Sequence, residues 1–186
     1  MNIRPAVMED ALPSARLLYD ALHDIAHQLT GQESKEDAIR GMAEFFEKKE
    51  IRLGYPQALV SEIDGKVAGV IVTYAGNEAE QLDRPIVERL REMKHDPSIT
   101  LDKEADEDEF YIDTLSVSPE YGGQGIGSAL MKAAEERAKQ RGFHKIALAV
   151  VTGNDRAYCL YLRRGFQVDK EIMINGHVYY HMVKAL

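Results

Sequence analysis

A mixed α/β domain of the α+β kind, helices layered on one mixed sheet, is the fold class this sequence predicts. Three observations predict it. The apolar period switches repeatedly between two and about 3.6 along the chain. Asp64-Gly65 and Asn175-Gly176 each stand between strand-like runs, the strongest short-range signal for a tight hairpin. Residues 110–152 read as strand, glycine-rich turn, helix and strand, a unit that requires a parallel strand pair.

The elements follow in order. Asn2 to Ala6 reads as a short strand. Ala11, Ala15, Leu18, Leu22 and Ile25, at steps of three and four, predict one helix with Pro13 in its first turn. Ser34 and Asp37 resemble a capping box opening a second helix to about Glu50, with Ala38, Met42, Phe45 and Phe46 as its stripe. Gln57–Ile63 and Lys66–Tyr74 are strands. Residues 76–109 are less regular; Pro85 is expected to begin a helix carrying Ile86, Leu90 and Met93, and the acidic run 104–109 reads as a solvated loop. Phe110–Val117 is a strand, a helix runs from the glycine turn to Gly142, and Lys145–Thr152 is a strand apolar enough to be buried on both faces. Asn154–Arg164 is a short helix, and two strands close the chain around Asn175-Gly176.

The chain has 186 residues, of which 45% are apolar and 29% charged. That composition fits a single globular domain over residues 1–186, with 76–109 as a variable insert, and excludes disordered and fibrous classes. The net charge of −8 runs against a phosphate-neutralising nucleic-acid binder and admits cationic substrates. A single cysteine, Cys159, allows no internal disulfide. No apolar stretch approaches the roughly 20 residues of a membrane span, and the first ten residues are too polar for a signal peptide. A cytoplasmic protein without nucleic-acid or membrane partners is the expectation.

The segment from Leu115 through Ser128 carries the strongest chemical signal. Gly122, Gly123, Gly125 and Gly127 lie within six residues that lead from a strand into a helix. Without Cβ atoms the backbone can curl there, and several N–H groups can converge where the helix dipole is positive. Such a cradle suits a phosphate or diphosphate. A Walker A loop is excluded because Ile126, not a lysine, follows Gly125; the dinucleotide fingerprint fails because Ser128 stands where its third glycine belongs.

Val117, Pro119, Gly125 and Gly127 resemble motif A of the GNAT superfamily of N-acetyltransferases, V-x-P-x-x-Arg/Gln-x-x-G-x-Gly/Ala, with Gly122 in place of the usual Arg/Gln. One helix and one strand later, Asn154, Ala157, Leu160, Tyr161, Gly165 and Phe166 resemble motif B, N-x-x-A-x-x-L-Y-x-x-x-G-F. Ile3-Arg4-Pro5-Ala6 and the hairpin 62–72 are similar to the superfamily's opening. The resemblance implies a mostly antiparallel central sheet with one splayed parallel pair, flanked by helices, and acetyl-CoA as cosubstrate. Leu115, Ser116 and Val117 would bond the pantetheine arm. Gly122, Gly123, Gln124, Gly125, Ile126, Gly127 and Ser128 would hold the diphosphate. Asn154 would contact pantetheine or simply cap its helix.

By the same resemblance Tyr161 protonates the departing thiolate, a role suited to a phenol of ordinary pKa about 10. No general base carries over. Asp113 and Tyr111, placed by period two on the face of Leu115 and Val117, and Glu109 just before them, are the candidates. The implied reaction is transfer of acetyl to a primary amine, on a small molecule or a peptide, by direct attack in a ternary complex. The alternative is a CoA-binding sensor of the same fold without turnover. No metal is expected: His23 and His27 share a helical spacing but have no third ligand nearby. They and Tyr19 are candidates for the acceptor wall. Cys159 reads as a small buried hydrophobe. The last strand offers sheet-edge pairing into a homodimer.

Overall fold

The computed structural model describes all 186 residues. Seven strands form one sheet in the order β1-β2-β3-β4-β5-β7-β6. The strands are β1 (Asn2–Pro5), β2 (Ala58–Ile63), β3 (Lys66–Ala75), β4 (Phe110–Val117), β5 (Lys145–Val151), β6 (Gln167–Ile174) and β7 (His177–Ala185). Every neighbouring pair is antiparallel except β4 and β5. Both hairpins form at the expected turns, with β2–β3 closing at Ile63–Lys66 and β6–β7 at Ile174–His177.

Six helices cover the two faces: α1 (Ala11–Leu22), α2 (Asp24–Thr30), α3 (Lys35–Phe46), α4 (Ala79–Lys94), α5 (Ile126–Gln140) and α6 (Asp155–Arg163). α5 lays Ile126, Leu130, Met131, Ala134 and Ala138 against Ile71, Ile112, Ile146 and Leu148 of the sheet. α1 and α3 bury Leu18, Met42, Phe45 and Phe46 against Val60, Val70 and Val72 on the opposite face. Each large side chain fully buried in this way contributes about 1.5–3 kcal/mol, which anchors both layers.

Four expectations are corrected. The first predicted helix is two, because His23 adopts φ +43 and breaks the run between α1 and α2. The helix opened by Ser34, whose hydroxyl accepts from the Asp37 N–H at 3.1 Å, stops at Phe46 rather than Glu50. α4 begins at Ala79 with Pro85 inside it; the buried stripe Leu82, Ile86, Leu90 continues straight through the proline and outweighs one lost backbone bond. The acidic run is not a solvated loop. Ala105 is buried, Glu109 is fully buried against His181 at 2.7 Å, and Glu104 is held by Arg52. Cys159 is a further correction. It is exposed, because α6 packs only Ala157, Tyr158 and Tyr161 partly against the core and Cys159 is not on that side.

Candidate active site

β4 and β5 are hydrogen-bonded neighbours only where Phe110–Ile112 meet Ile146–Leu148. Beyond that point β4 stays with β3 as far as Val117, while β5 stays with β7 as far as Val151. The parallel pair therefore splays, leaving two strand edges facing each other without a ladder. Ser118 donates to Ala68 at 2.9 Å, so alternation along the antiparallel pair turns Ser116 toward β3 as well. The backbone groups of Leu115 and Val117 are then directed into the opening.

The glycine turn lies at the mouth of this opening. Pro119–Tyr121 form a 3-10 turn in which Gly122 (φ −59) donates its N–H to Pro119 at 3.2 Å. Gly123 and Gly125 then take φ +75 and +77, a conformation that side chains rarely adopt and that lets main-chain amides form a concavity. None of the six consecutive N–H groups from Gly123 through Gln124, Gly125, Ile126, Gly127 and Ser128 donates to an acceptor within the chain. The last three are the orphan donors of the α5 N-terminus. The Ile126 side chain meanwhile anchors the turn in the core, and a Cβ on Gly123 or Gly125 would meet no protein atom within 4 Å.

Beside this turn is a shallow cavity of about 690 Å³ between α5 and α6. Lys132, Arg163, Arg164 and Lys184 line it against one carboxylate, Glu135, a formal charge of +3. The Arg164 guanidinium donates to the Ser128 hydroxyl, and Lys184 pairs with Glu135 at 2.7 Å. Sequence reading assigned no role to these cations. The Arg163-Arg164 doublet inside the second motif was the signal available.

On the other face the opening meets a second cavity, of about 580 Å³, walled by α1, α2, β4, β5 and the turn of the last hairpin. Tyr161, Asn154 and Asp113 all line it. The ring of Tyr161 packs edge-on against Phe166, 5.9 Å between centroids. Burial raises its pKa above the ordinary phenol value, opposed by the nearby Arg164 charge, so the hydroxyl keeps its proton at neutral pH. Asn154 caps α6, its Oδ1 accepting from the Ala157 N–H at 3.1 Å.

Period two does not hold through β4. The register against β3 slips between Val72 and Thr73, so that Thr114 and Ile112 are partnered and Asp113 is the extra, bulged residue. In consequence Leu115 and Val117 share the α5 face with Phe110 and Ile112, whereas Tyr111 packs with Tyr74 and Ala147 on the opposite side. Of the base candidates, Tyr111 and Asp113 line this second cavity; Glu109 does not. His23 also lines it, while both ring nitrogens of His27 are engaged, by Tyr19 Oη at 3.0 Å and the Gln32 carbonyl at 2.8 Å.

Sequence reading missed the hub of this wall. Arg52, with a side chain only 4% exposed, donates through Nε to Asp113 and through Nη2 to Glu104, and lies 3.6 Å from Asp83. Asp113 also accepts from the Thr114 hydroxyl at 2.7 Å, and Glu104 from the Tyr111 hydroxyl at 2.9 Å. Burial raises the pKa of Glu104 and of Asp83, with Arg52 opposing the rise and the Asp113 charge adding to it. One cation thus stands among three carboxylates.

A family profile described as acetyltransferase (GNAT) family matches residues 18–166. The thialysine N-epsilon-acetyltransferase of Bos taurus is 44% identical over 57 residues, 31% of this chain and 34% of that one. The chain therefore spans about a third of the length of the curated relatives it matches. The crystal structure of an acetyltransferase superposes with a TM-score of 0.81 at 34% identity, covering 100% of this chain and 99% of the other. That of an N-acetyltransferase from Staphylococcus aureus Mu50 gives 0.81 at 27% identity, covering 98% and 100%. A profile match over most of the chain and this end-to-end likeness make one conclusion plain: the chain belongs to the acetyltransferase (GNAT) family.

Proposed function

We propose that the protein is an acetyl-CoA-dependent N-acetyltransferase that acylates a primary amine by direct attack in a ternary complex. The observation that carries this reading is the meeting of two features: a splayed parallel pair, and six unpartnered amides at its mouth. Free strand edges suit the amide-bearing pantetheine arm, and the amides from Gly123 to Ser128 suit the diphosphate. Lys132, Arg163 and Arg164 extend the positive field for the remaining phosphate. Asn154, with its oxygen used by the cap, offers its amide N–H groups to the arm.

The thioester then lies in the opening, with its carbonyl polarised by backbone N–H groups of Leu115 or Val117. The amine enters in its neutral form from the cavity walled by α1, α2, β4 and β5, which this reading makes the acceptor-side cavity. Its nitrogen lone pair forms the new C–N bond at the carbonyl carbon, and the C–S bond breaks as the tetrahedral centre collapses. Tyr161 gives its hydroxyl proton to the departing sulfur and regains one from solvent. The proton lost by the amine passes to water beside Asp113, whose oxygens are held by Arg52 and Thr114.

Thiol release from acetyl-CoA across a panel of primary amines tests the reading. Tyr161→Phe is expected to lower kcat by at least about tenfold with little change in the acetyl-CoA KM. Unchanged turnover removes Tyr161 from the mechanism. Stabilisation by acetyl-CoA without thiol release for any amine favours a CoA-binding module that does not turn over.

A further inference from the structure

We infer that the acceptor is an amine carrying a second positive charge and no carboxylate, a diamine-type chain rather than an amino acid; this rests on the acetyltransferase reading above. The acceptor-side cavity has four carboxylates in its wall, Asp20, Asp24, Glu104 and Asp113, against the single guanidinium of Arg52. With its histidines neutral the formal charge is −3.

Two of these groups are unspent. Asp20 and Asp24 are exposed at the rim, and neither is paired with a cation. Deeper in, Arg52 is the residue an amino acid's carboxylate would need, and it is already taken by Asp113 and Glu104 with Asp83 close behind. The same field reaches Tyr179 in the wall. Burial raises its pKa first, and the charges of Glu104 and Asp24 raise it further. A second ammonium on the acceptor meets complementary charge at the rim, whereas a carboxylate meets only like charge. The apolar share of the wall, including Leu22, Ile25 and Ile174, accommodates the methylene chain between two amines.

Four acceptors of matched length separate the charges: pentylamine, 1,5-diaminopentane, lysine and lysinamide, assayed at pH 7, below the ordinary α-amino pKa of about 7.7–8.0 so that lysinamide keeps its second charge. The diamine is expected to exceed both pentylamine and lysine in kcat/KM by about tenfold or more, and lysinamide to recover most of what lysine loses. The advantage of the diamine over pentylamine should shrink as salt rises and in the double variant Asp20→Asn, Asp24→Asn. Equal rates for pentylamine and the diamine, or lysine matching lysinamide, overturn the inference. Calorimetric binding of the same four amines to the protein loaded with coenzyme A gives the ranking independently of turnover. If no thiol is released but the diamine still binds tightest, the acetyltransferase reading fails and the charge selection stands.

Discussion

The two sides of the opening are built by different means. On the proposed donor side, one continuous stretch, Gly123–Ser128, offers main-chain amides, and α5 and α6 add a groove of formal charge +3. On the proposed acceptor side, a cavity of formal charge −3 is assembled from side chains as far apart in sequence as Asp20, Arg52, Glu104, Asp113 and Tyr179. In the proposed reading, the donor is held by main chain and the acceptor by side chains. A cradle of backbone N–H groups survives side-chain change, and one made of distant side chains does not. In that reading the difference also separates two charges, so that an anionic cosubstrate and a cationic acceptor would each approach the face that attracts them.

The sharpest way to break the contrast is at its most buried point. Arg52→Met removes the one cation among Asp83, Glu104 and Asp113 and is expected to destabilise the fold by about 3–5 kcal/mol in chemical denaturation. The pH dependence has a definite sign. Glu104 and Asp83 have folded pKa values raised by burial, so the stability they contribute is fully present below the ordinary carboxylate range and is lost as pH rises through their raised values. Without Arg52 to oppose that rise, the deficit of the variant should be smaller at pH 5 than at pH 8. A deficit independent of pH would mean that the arginine acts by packing alone.

A smaller effect probes the donor side. Gly125→Ala places a Cβ at φ +77 within the run of unpartnered amides; Gly142→Ala imposes the same strain at φ +82, beyond the far end of α5. Both should lose about 1–2 kcal/mol of stability, since neither Cβ meets a protein atom. Only Gly125→Ala should also raise the acetyl-CoA KM, by about tenfold. Equal KM values for the pair would detach the turn from cosubstrate binding. Smaller still, Arg163→Ala and Lys132→Ala should each raise that KM about threefold at low salt, and less at high salt, while leaving the KM for the amine unchanged.

The same contrast explains what could be read in the sequence. The donor side was legible because its chemistry is local: glycines at fixed spacing between a strand and an amphipathic helix specify an amide cradle without any distant partner. The sheet was legible from its hairpin turns and apolar periods. The acceptor side was not. Arg52 lies between two elements with nothing nearby to mark it, and its partners come from residues 83, 104 and 113. The acidic run concealed Glu104 and Glu109, although buried Ala105 within it was the one residue out of keeping with a solvated loop. A single-residue bulge at Asp113 reversed the face assignment of Tyr111, because strand alternation propagates any slip through the whole strand.

In the proposed reading the amides of residues 123–128 grip the diphosphate at the opening between β4 and β5. Backbone amide chemical shifts followed during titration with coenzyme A test it most directly. The largest changes should fall on Gly123 through Ser128, with Leu115 and Val117 next and Gly142 still. Changes centred elsewhere, or no saturation at millimolar coenzyme A, would contradict it.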